Sequence, residues 1–597
     1  MEDLRSLFAL ASQWAASQPS AIALMADDGT QMSYAKLLDW IKQTANMLRA
    51  RGVEVHDRVA TVLPNGMEAA VAFLSVASCA IAVPINPRLR KDEFASLLTD
   101  VRASALLTDG TEGSSAEAAA DELGIDRLEF PRLEGFASEG RSGQVAFDTI
   151  PSFEDIALIL HTSGTTSIPK RVPLSHANLI NSASNVARSL ALSEQDCCLN
   201  PMPLFHIHGL VAGLLAPLFA GGSSICASSG RGDAMFAAID RQKPTWYTAV
   251  PTIHQSLLTE IDRQGIDSLA TSPLRLARSS SSAMPLQLLT MLEERLGVPV
   301  VEAYGMTEAS HQIASNPLPP GMRPPGSVGL PVGLDIAVRG PQGEILGANE
   351  EGELMIRGAS VTSGYEDNPE ANSAAFVDGW FRTGDLGHID ENGYVYIASR
   401  LKEIINRGGE KVLPQEIDEA LHKHPEVIKA IAFAIPHRTL GEDVAAAVVL
   451  RKGSHVSEAD IRRFLFEQLA DFKVPSRFVF LDDLPTGATG KPQRIGLAEV
   501  LANELREPFQ PAASPIEQTL VQIWEEVLRV KDVGASDNFF MLGGDSLSTM
   551  RVLARVNEQY GISLTLRQAF ESPRLEDLAL RIELSIIEQI EGQDLAE

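Results

Sequence analysis

The sequence predicts an α/β protein that ends in a small helical module. Short β-branched and apolar runs, such as residues 156–160 and 445–450, alternate with stretches of helical periodicity, such as residues 285–296. This alternation is typical of α/β domains. The length of 597 residues and the hydrophobic content of 45% suffice for several packed cores.

A change in composition divides the chain near its end. The segment REPFQPAASP, residues 506–515, places three prolines among small residues and separates two helical patterns. We interpret residues 506–513 as a linker. Residues 514–590 are then a separate acidic domain, predicted to be all helical.

Charge and cysteine content exclude several classes of protein. Fifty basic against 78 acidic residues give a formal net charge of −28, which opposes binding to nucleic acids and to anionic membrane surfaces. The four cysteines form no CxxC pair, so the sequence predicts neither a disulfide framework nor a zinc site. We expect a cytoplasmic protein.

Two apolar segments are relevant to membrane targeting. The N-terminal MEDLRSLFALASQW spaces its large apolar residues as an amphipathic helix and lacks the basic start of a signal peptide. Residues 69–85 are more apolar, but they contain two serines and Pro84. This pattern favours a buried helix that leads into a strand over a membrane span.

The densest motif is HTSGTTSIPKR at residues 161–171, directly after the strand predicted at residues 156–160. Its hydroxyl side chains, backbone N–H groups and Lys170 can bind a polyphosphate. It lacks the GK[ST] of the Walker pattern, and a Ser/Thr/Gly loop by itself is more often an ordinary loop. The motifs elsewhere in the chain therefore decide its meaning.

Four further blocks follow in order along the chain. They are AYGMTE at 303–308, WFRTGDLG at 380–387, SRLKEIINRGGEK at 399–411 and PTGATGKPQR at 485–494. With the loop, they resemble the adenylate-forming superfamily of acyl-CoA ligases, luciferases and peptide-synthetase adenylation domains. The resemblance implies a large N-terminal adenylation subdomain at 1–399 and a small mobile α+β C-terminal subdomain at 400–505.

The tail carries a motif of its own. DNFF at 537–540 and MLGGDSLSTM at 541–550 resemble the phosphopantetheine attachment site of a carrier protein. This implies an all-α four-helix acyl or peptidyl carrier domain at 514–590, with 4′-phosphopantetheine on Ser546. Without the resemblance, Ser546 is only a helix cap. We expect Leu547, Met550 and Leu553 to build the core of this domain.

The resemblance also implies a site for ATP and Mg²⁺. Lys491, Thr307 and Glu308 are the expected catalytic residues; Lys491 and the loop act on the phosphates, and Glu308 faces Mg²⁺. Asp385 would accept the ribose hydroxyls, and Tyr304 would lie against adenine. The expected ATP-binding residues are Thr162, Ser163, Gly164, Thr165, Thr166, Lys170, Tyr304, Asp385 and Arg400.

A thiol then attacks the acyl-adenylate after the C-terminal subdomain rotates. Lys402 matches the hinge position, and Gly408 with Gly409 matches the segment that lines the thiol tunnel. The thiol belongs either to free coenzyme A or to the arm on Ser546, and the tether favours the arm. The expected partners are a phosphopantetheinyl transferase and downstream enzymes that accept the acyl group in trans, as in a nonribosomal-peptide-synthetase-like pathway.

The acid is inferred from four segments. In PLFHIHGL at 203–210, His206 replaces the aspartate that holds an α-ammonium in amino-acid adenylation domains. With TWYTAVPTIHQ at 245–255, EAYGMTEASHQIASNPLP at 302–319 and KEIINRGGEK at 402–411, this segment looks closest to the oxalate-CoA ligase branch, which also has a serine at the position of Ser167. We therefore predict a small diacid or α-keto acid. Its second anionic group would contact His206, His208, Ser281 and His311.

Two features depart from that branch, and the alternatives stay open. Its ligases end without a carrier, and Arg171 stands where a glycine usually follows the loop lysine. A fatty, aromatic or amino acid remains possible as substrate. The remaining alternatives for the whole chain are a ligase that uses free coenzyme A and a non-catalytic carrier scaffold, although the scaffold is disfavoured by the intact loop and Lys491.

Overall fold

The computed structural model describes residues 5–111, 113–131, 133, 150–162, 170–437, 440–485, 493–505, 510–540, 542, 544 and 546–594. The chain forms two compact units, Met1–Ile397 and Ala398–Glu597.

The first unit is rich in short strands and in helices of medium length. Its strands, of which the last crosses the unit boundary, are β1 (Ile22–Ala26), β2 (Gln31–Ser33), β3 (Arg58–Val62), β4 (Ile81–Pro84), β5 (Ala105–Thr108), β6 (Asp126–Glu129), β7 (Ile156–Thr162), β8 (Lys170–Ser175), β9 (Cys197–Asn200), β10 (Ser223–Cys226), β11 (Trp246–Ala249), β12 (Leu276–Ser280), β13 (Val300–Met306), β14 (His311–Ser315), β15 (Ser327–Pro331), β16 (Asp335–Arg339), β17 (Gly352–Arg357), β18 (Phe376–Val377), β19 (Trp380–Ile389) and β20 (Val395–Arg400). Its helices are α1 (Leu7–Ser17), α2 (Tyr34–Ala50), α3 (Met67–Ala77), α4 (Lys91–Asp100), α5 (Ser115–Leu123), α6 (His176–Ser189), α7 (Ala216–Phe219), α8 (Gly232–Gln242), α9 (Pro251–Arg263), α10 (Leu286–Leu296) and α11 (Pro369–Ala375). A π-helix spans His208–Leu215, and a 3₁₀ turn spans Thr307–Ala309.

Two sheets organise this unit. A six-stranded sheet has the order β6-β5-β3-β4-β7-β8, and a larger sheet runs β16-β17-β19-β20-β15-β14-β13-β12-β11-β9-β10-β1-β2, with β18 on β19. Strands β9 to β13 pair in parallel in the larger sheet. All four residues of β11 are buried, as expected for a parallel strand covered on both faces. The predicted α/β fold class is confirmed.

The most apolar segment of the chain lies inside the first unit. Helix α3 is buried along almost its whole length, and β4 follows it and pairs in parallel with β3. The prediction of a buried helix leading into a strand is therefore confirmed. In the described part of the chain, no helix has the length and apolar character required to cross a bilayer.

The second unit combines a small sheet with a helical region. Its strands are β21 (Ile405–Arg407), β22 (Glu410–Val412), β23 (Val427–His437), β24 (Gly441–Leu450) and β25 (Arg477–Phe480). Its helices are α12 (Pro414–His422), α13 (Glu458–Phe466), α14 (Leu497–Val500), α15 (Ala502–Leu505), α16 (Pro515–Leu528), α17 (Ser546–Tyr560), α18 (Leu566–Glu571) and α19 (Leu575–Asp594). The sheet has the order β22-β21-β24-β23, and β25 pairs with β24.

Helices α16 to α19 form the predicted all-α domain. Helix α16 begins where the sequence changes character, because Ser514 caps it reciprocally with Glu517 and Pro515 occupies its first turn. The helices share a core that includes Leu520, Trp524 and Phe539. Within the described residues, the domain has the four helices that were expected.

One expectation about this domain is wrong. Leu547 and Met550 of α17 are 55% and 51% exposed, whereas Leu553 is 6% exposed and belongs to the core. Helix α17 packs through a face that includes Val552 and Val556 instead. Periodicity shows that one helical face is apolar, but here the apolar residues extend beyond the stripe that packs.

Candidate functional site

Tyr304 and Asp385 meet in the core of the first unit. Tyr304 lies on β13 and Asp385 on β19, and both side chains are buried. The hydroxyl of Tyr304 donates a hydrogen bond to the Asp385 carboxylate. Residues predicted to contact adenine and ribose are therefore adjacent, although they are separated by 81 positions in the chain.

A second group connects Glu308 to Lys170 through a tyrosine. Glu308 lies in the 3₁₀ turn that begins at Thr307, and its Oε1 accepts a hydrogen bond of 2.9 Å from the Tyr365 hydroxyl. The Nζ atom of Lys170 lies 4.2 Å from the centroid of the Tyr365 ring, a cation–π distance. Sequence reasoning missed Tyr365, because nothing in SGYEDN indicates that its hydroxyl reaches Glu308.

Several predicted residues lie outside the described part of the chain. They are Ser163, Gly164, Thr165, Thr166 and Lys491. Thr162 is described, and it pairs with Lys170 across the β7–β8 hairpin. Their roles toward ATP stay predictions.

Arg171 anchors the loop end of the same hairpin. It pairs with His161 in the β7–β8 register. Its guanidinium lies 2.5 Å from Asp100, 2.9 Å from Glu366 and 2.9 Å from Asp367. His161 also contacts Asp100, at 3.0 Å. The arginine that replaces glycine thus ties the hairpin to the end of α4 and to residues 366–367.

We expect Arg171→Ala to lower the free energy of unfolding by about 1.5–3 kcal/mol, the range for hydrogen bonds to charged groups. The Arg171 side chain is nearly buried. Its removal therefore takes hydrogen bonds from the carboxylates, and water replaces these only in part. Calorimetry would measure the change. The control is Arg51→Ala, which breaks an exposed pair with Asp126 and should cost at most about 1 kcal/mol. Equal losses in both variants would contradict this role.

Three of the residues predicted to bind the acid converge. Nδ1 of His208 lies 3.0 Å from Oγ of Ser281, and the ring of His208 stacks on that of His311 with centroids 4.8 Å apart. His208 begins the π-helix, a conformation that is frequent at functional sites. His206 lies two residues earlier, half-buried in the turn that precedes this helix.

The backbone around these residues is strained. Ser281, Ser310 and His311 have φ values of 76°, 52° and 104°. Positive φ in non-glycine residues costs about 1–3 kcal/mol and is concentrated at functional sites. The strand pairing shifts register at Gly305, where a Cβ atom would lie 1.7 Å from the carbonyl oxygen of His311. Only glycine permits this approach.

Two further residues lie behind the imidazole pair. Thr248 Oγ1 is 2.7 Å from Nε2 of His208 and 3.2 Å from Nη1 of Arg278. Both Thr248 and Arg278 are fully buried. Sequence reasoning missed them because neither residue type is distinctive within its strand.

The remaining adenylation residues belong to the second unit. Arg400 ends β20, and Lys402 lies in the exposed turn that follows. Gly408 and Gly409 form the tight turn between β21 and β22, with φ values of 60° and 97° that suit glycine. The hinge and tunnel roles of these residues stay predictions.

Within the second unit, the helical domain contacts the region that contains the small sheet. Asn538 Nδ2 donates to the carbonyl oxygen of Ser476 at 3.1 Å, and Nε2 of His437 donates to the carbonyl oxygen of Phe540. Leu440 N–H donates to Nδ1 of His437 at 3.1 Å, so the proton of that ring is on Nε2. These contacts hold residues 538–540, shortly before Ser546, the first residue of α17.

Family models match three parts of the chain. The model described as AMP-binding enzyme matches residues 11–366, and the model of the AMP-binding enzyme C-terminal domain matches residues 416–491. A model of the phosphopantetheine attachment site matches residues 518–582. These matches confirm the resemblance drawn from the five blocks and the carrier motif.

Curated relatives are similar over most of the chain. It is 42% identical over 510 residues to an oxalate–CoA ligase of Arabidopsis thaliana, across 83% of this chain and 99% of that protein. It is 42% identical over 490 residues to a probable CoA ligase of Humulus lupulus, across 80% and 93% of the two chains. A sulfoacetate–CoA ligase of Cupriavidus necator is 35% identical over 501 residues, across 82% and 97%.

A solved structure is also similar. The crystal structure of ATP-bound MatB from Rhodopseudomonas palustris has a TM-score of 0.75 and 30% sequence identity, and the match covers 84% of this chain and 100% of that chain. The adenylate-forming fold expected from the sequence is therefore confirmed.

Proposed function

Because the chain belongs to the AMP-binding enzyme family, we propose that it activates a small acid with a second anionic or keto group and loads it onto its own phosphopantetheine arm at Ser546. The chain is an AMP-forming acid–thiol ligase with a carrier domain. The acid and the acceptor are our proposals. The observation that supports this acid is the cluster formed by the buried rings of His208 and His311 with the half-buried Ser281.

The first step turns a poor leaving group into a good one. One oxygen of the substrate carboxylate attacks the α-phosphorus of ATP, forming the acyl-adenylate and expelling pyrophosphate. Negative charge grows on the phosphates, where fixed cations act most strongly. Lys491, Lys170 and the loop would supply cations and N–H donors, Thr307 would face the α-phosphate, and Tyr304, Asp385 and Arg400 would hold the nucleoside.

Glu308 suits a magnesium ion held mainly by the nucleotide. One of its carboxylate oxygens accepts from Tyr365. Within the described residues, no group of three or more acidic, histidine or cysteine side chains could hold a metal by itself. Mg²⁺ usually keeps several waters and takes one or two carboxylates plus phosphate oxygens. Such an ion would neutralise charge on the phosphates.

In the second step a thiol sulfur attacks the acyl carbon and AMP leaves. None of the four cysteines of the chain competes as the nucleophile, because burial raises the thiol pKa of Cys79 to about 12, of Cys197 to about 11 and of Cys226 to about 12. Burial also raises the pKa of Cys198 well above its ordinary value. A phosphopantetheinyl transferase must supply the reactive thiol by modifying Ser546.

The acid is argued from hydrogen-bonding demand. A methyl or phenyl group would place an apolar surface against the polar side chains of His208, Ser281 and His311, whereas an anionic group can accept hydrogen bonds from hydroxyl and imidazole donors. An oxalate–CoA ligase and a sulfoacetate–CoA ligase are among the relatives, and the acids in both names carry a second anionic group. A diacid or α-keto acid meets this demand, and His206 would complete the pocket.

The proposal extends to the organisation of the chain. It keeps an adenylation body at 1–399, a rotating subdomain at 400–505 with its hinge at Lys402, a linker at 506–513 and a carrier at 514–590. Gly408 and Gly409 would line the path of the arm. Separate enzymes would accept the loaded acyl group.

One experiment tests the whole proposal. The phosphopantetheinylated protein is incubated with ATP and a pool of small acids, and its intact mass is measured. A mass gain equal to one acyl group of a diacid or α-keto acid, on the Ser546 peptide, is the expected result. A gain that matches a fatty, aromatic or amino acid would contradict the proposed substrate but still support loading onto Ser546.

We expect His311→Ala to reduce kcat/KM for a short diacid by about 5- to 150-fold, the equivalent of 1–3 kcal/mol, and to spare any monoacid. The reason is that the variant removes a donor aimed at the second anionic group. Pyrophosphate release with oxalate, alanine, benzoate and octanoate would measure the preference. His422→Ala, in α12 of the second unit, is the matched histidine control. Loss of all acids alike would oppose the assignment.

A ligase for free coenzyme A is the second candidate. It is favoured by the relatives, which are named as CoA ligases. The two candidates differ only in the thiol acceptor. Thioester formation on free coenzyme A by Ser546→Ala therefore distinguishes them.

A further inference from the structure

Arg278 of β12 is a cation behind the proposed acid pocket. It is fully buried, and no carboxylate in the described part of the chain forms an ion pair with it. Its Nη2 donates to Oε1 of Gln312 at 3.0 Å, while its Nε has no hydrogen-bond partner among the described residues. Burial lowers the pKa of this guanidinium to about 9, which still leaves it charged at neutral pH. A buried charge of this kind is costly, so its retention calls for a role.

Strand register places Arg278 beside Thr248. The two residues are partners in the parallel pairing of β11 and β12, so their side chains emerge on the same face. Gln312, the other contact of Arg278, is the chain neighbour of His311. The guanidinium therefore contacts Thr248, which bonds to His208, and Gln312, which adjoins His311 in the chain.

The hydrogen bonds determine which way each proton points. Guanidinium groups only donate, so Thr248 Oγ1 accepts from Arg278. In the described part of the chain, the hydroxyl proton of Thr248 then has Nε2 of His208 as its acceptor. Because Nε2 accepts, the ring proton of His208 lies on Nδ1, which donates to Ser281 Oγ. The proton of Ser281 itself points away from His208.

We propose that Arg278 is a positioning residue that sets the donor direction of the chain Arg278–Thr248–His208–Ser281, so that Ser281 presents its proton to an anionic group of the acid. The inference rests on the proposed activation of a small acid in this pocket. The pocket residues alone do not determine the direction of this hydrogen-bond chain. A histidine and a serine can each donate or accept, whereas Arg278 only donates and, among the described residues, leaves Nε2 of His208 as the acceptor for the Thr248 hydroxyl proton.

Thr248→Val and Thr248→Ser form a matched test pair. Valine keeps the shape of threonine and removes the hydroxyl, whereas serine keeps the hydroxyl. We expect Thr248→Val to raise the KM for oxalate, or for the diacid that the wild type prefers, at least tenfold. In both variants, the KM for ATP should change less than about twofold. In Thr248→Ser, the KM for the diacid should stay within about threefold of the wild-type value. Both limits lie below the tenfold change that corresponds to 1.4 kcal/mol. A merely structural role would shift both KM values together.

The ring of His208 gives a readout that does not depend on turnover. Long-range ¹H–¹⁵N spectra of histidine-labelled protein, with the resonance assigned through His208→Gln, should show the proton on Nδ1 in the wild type and a changed pattern in Thr248→Val. A proton on Nε2 in the wild type would overturn the proposal, as would an unchanged diacid KM in Thr248→Val. Failure of the wild type to use any diacid would reject the proposed substrate. The spectra would still decide whether the proton direction is right.

Discussion

Ser546→Ala is expected to keep ATP–pyrophosphate exchange at the wild-type rate and to abolish acyl loading of the protein. The exchange reports the first step, which needs no thiol, whereas loading needs the arm on this serine. The variant and the wild type are treated with a phosphopantetheinyl transferase and coenzyme A, then with ATP and the acid. Intact mass and peptide mapping measure both the arm and the acyl group.

Ser548→Ala is the matched control, because Ser548 lies in the same helix two positions further on. It should accept the arm and the acyl group as the wild type does. An arm found on another residue would contradict the assignment of Ser546 as the attachment site. Thioester formation on free coenzyme A that is undiminished in Ser546→Ala would favour the free-CoA ligase over self-loading.

Lys491→Ala is expected to slow adenylation by about 10²- to 10³-fold, equivalent to about 2.7–4 kcal/mol of transition-state stabilisation. The lysine cation serves a charge that develops on the phosphates only in the first step. Transfer to the thiol should therefore be almost unchanged when a preformed acyl-adenylate is supplied. Single-turnover assays of the two steps, run separately, would measure this division.

Lys452→Ala is a suitable control for this variant, because Lys452 is an exposed lysine of the same unit. It should behave as the wild type in both assays. An equal loss of both steps in Lys491→Ala would mean that the lysine supports the fold or the bound nucleotide generally. The proposed separation of roles would then fail.

Local patterns carried much of the information about the fold. The apolar residues 156–160 and 445–450 lie within strands β7 and β24, and residues 286–296 form helix α10. Capping explains the start of α16, where Ser514 and Glu517 bond reciprocally. These features depend on residues close together in the chain, so periodicity and capping suffice to predict them.

The motifs also identified the main chemical residues, but not the hydrogen bonds and ion pairs that these residues form. Tyr304, Glu308 and Asp385 stand in recognisable blocks, whereas Tyr365, which donates to Glu308, does not. Arg171 was noticed only as a departure from glycine, and its three carboxylate partners became visible in the folded chain.

The sequence by itself determined the fold class, the carrier motif and the residue types available for chemistry. Tertiary structure alone decided that Leu547 and Met550 are exposed and that Thr248 contacts both Arg278 and His208. The physical reason is the range of the interactions involved. A cap or an amphipathic stripe is encoded within a few residues, whereas the packed face of a helix and the direction of a hydrogen-bond chain depend on register between segments far apart in sequence.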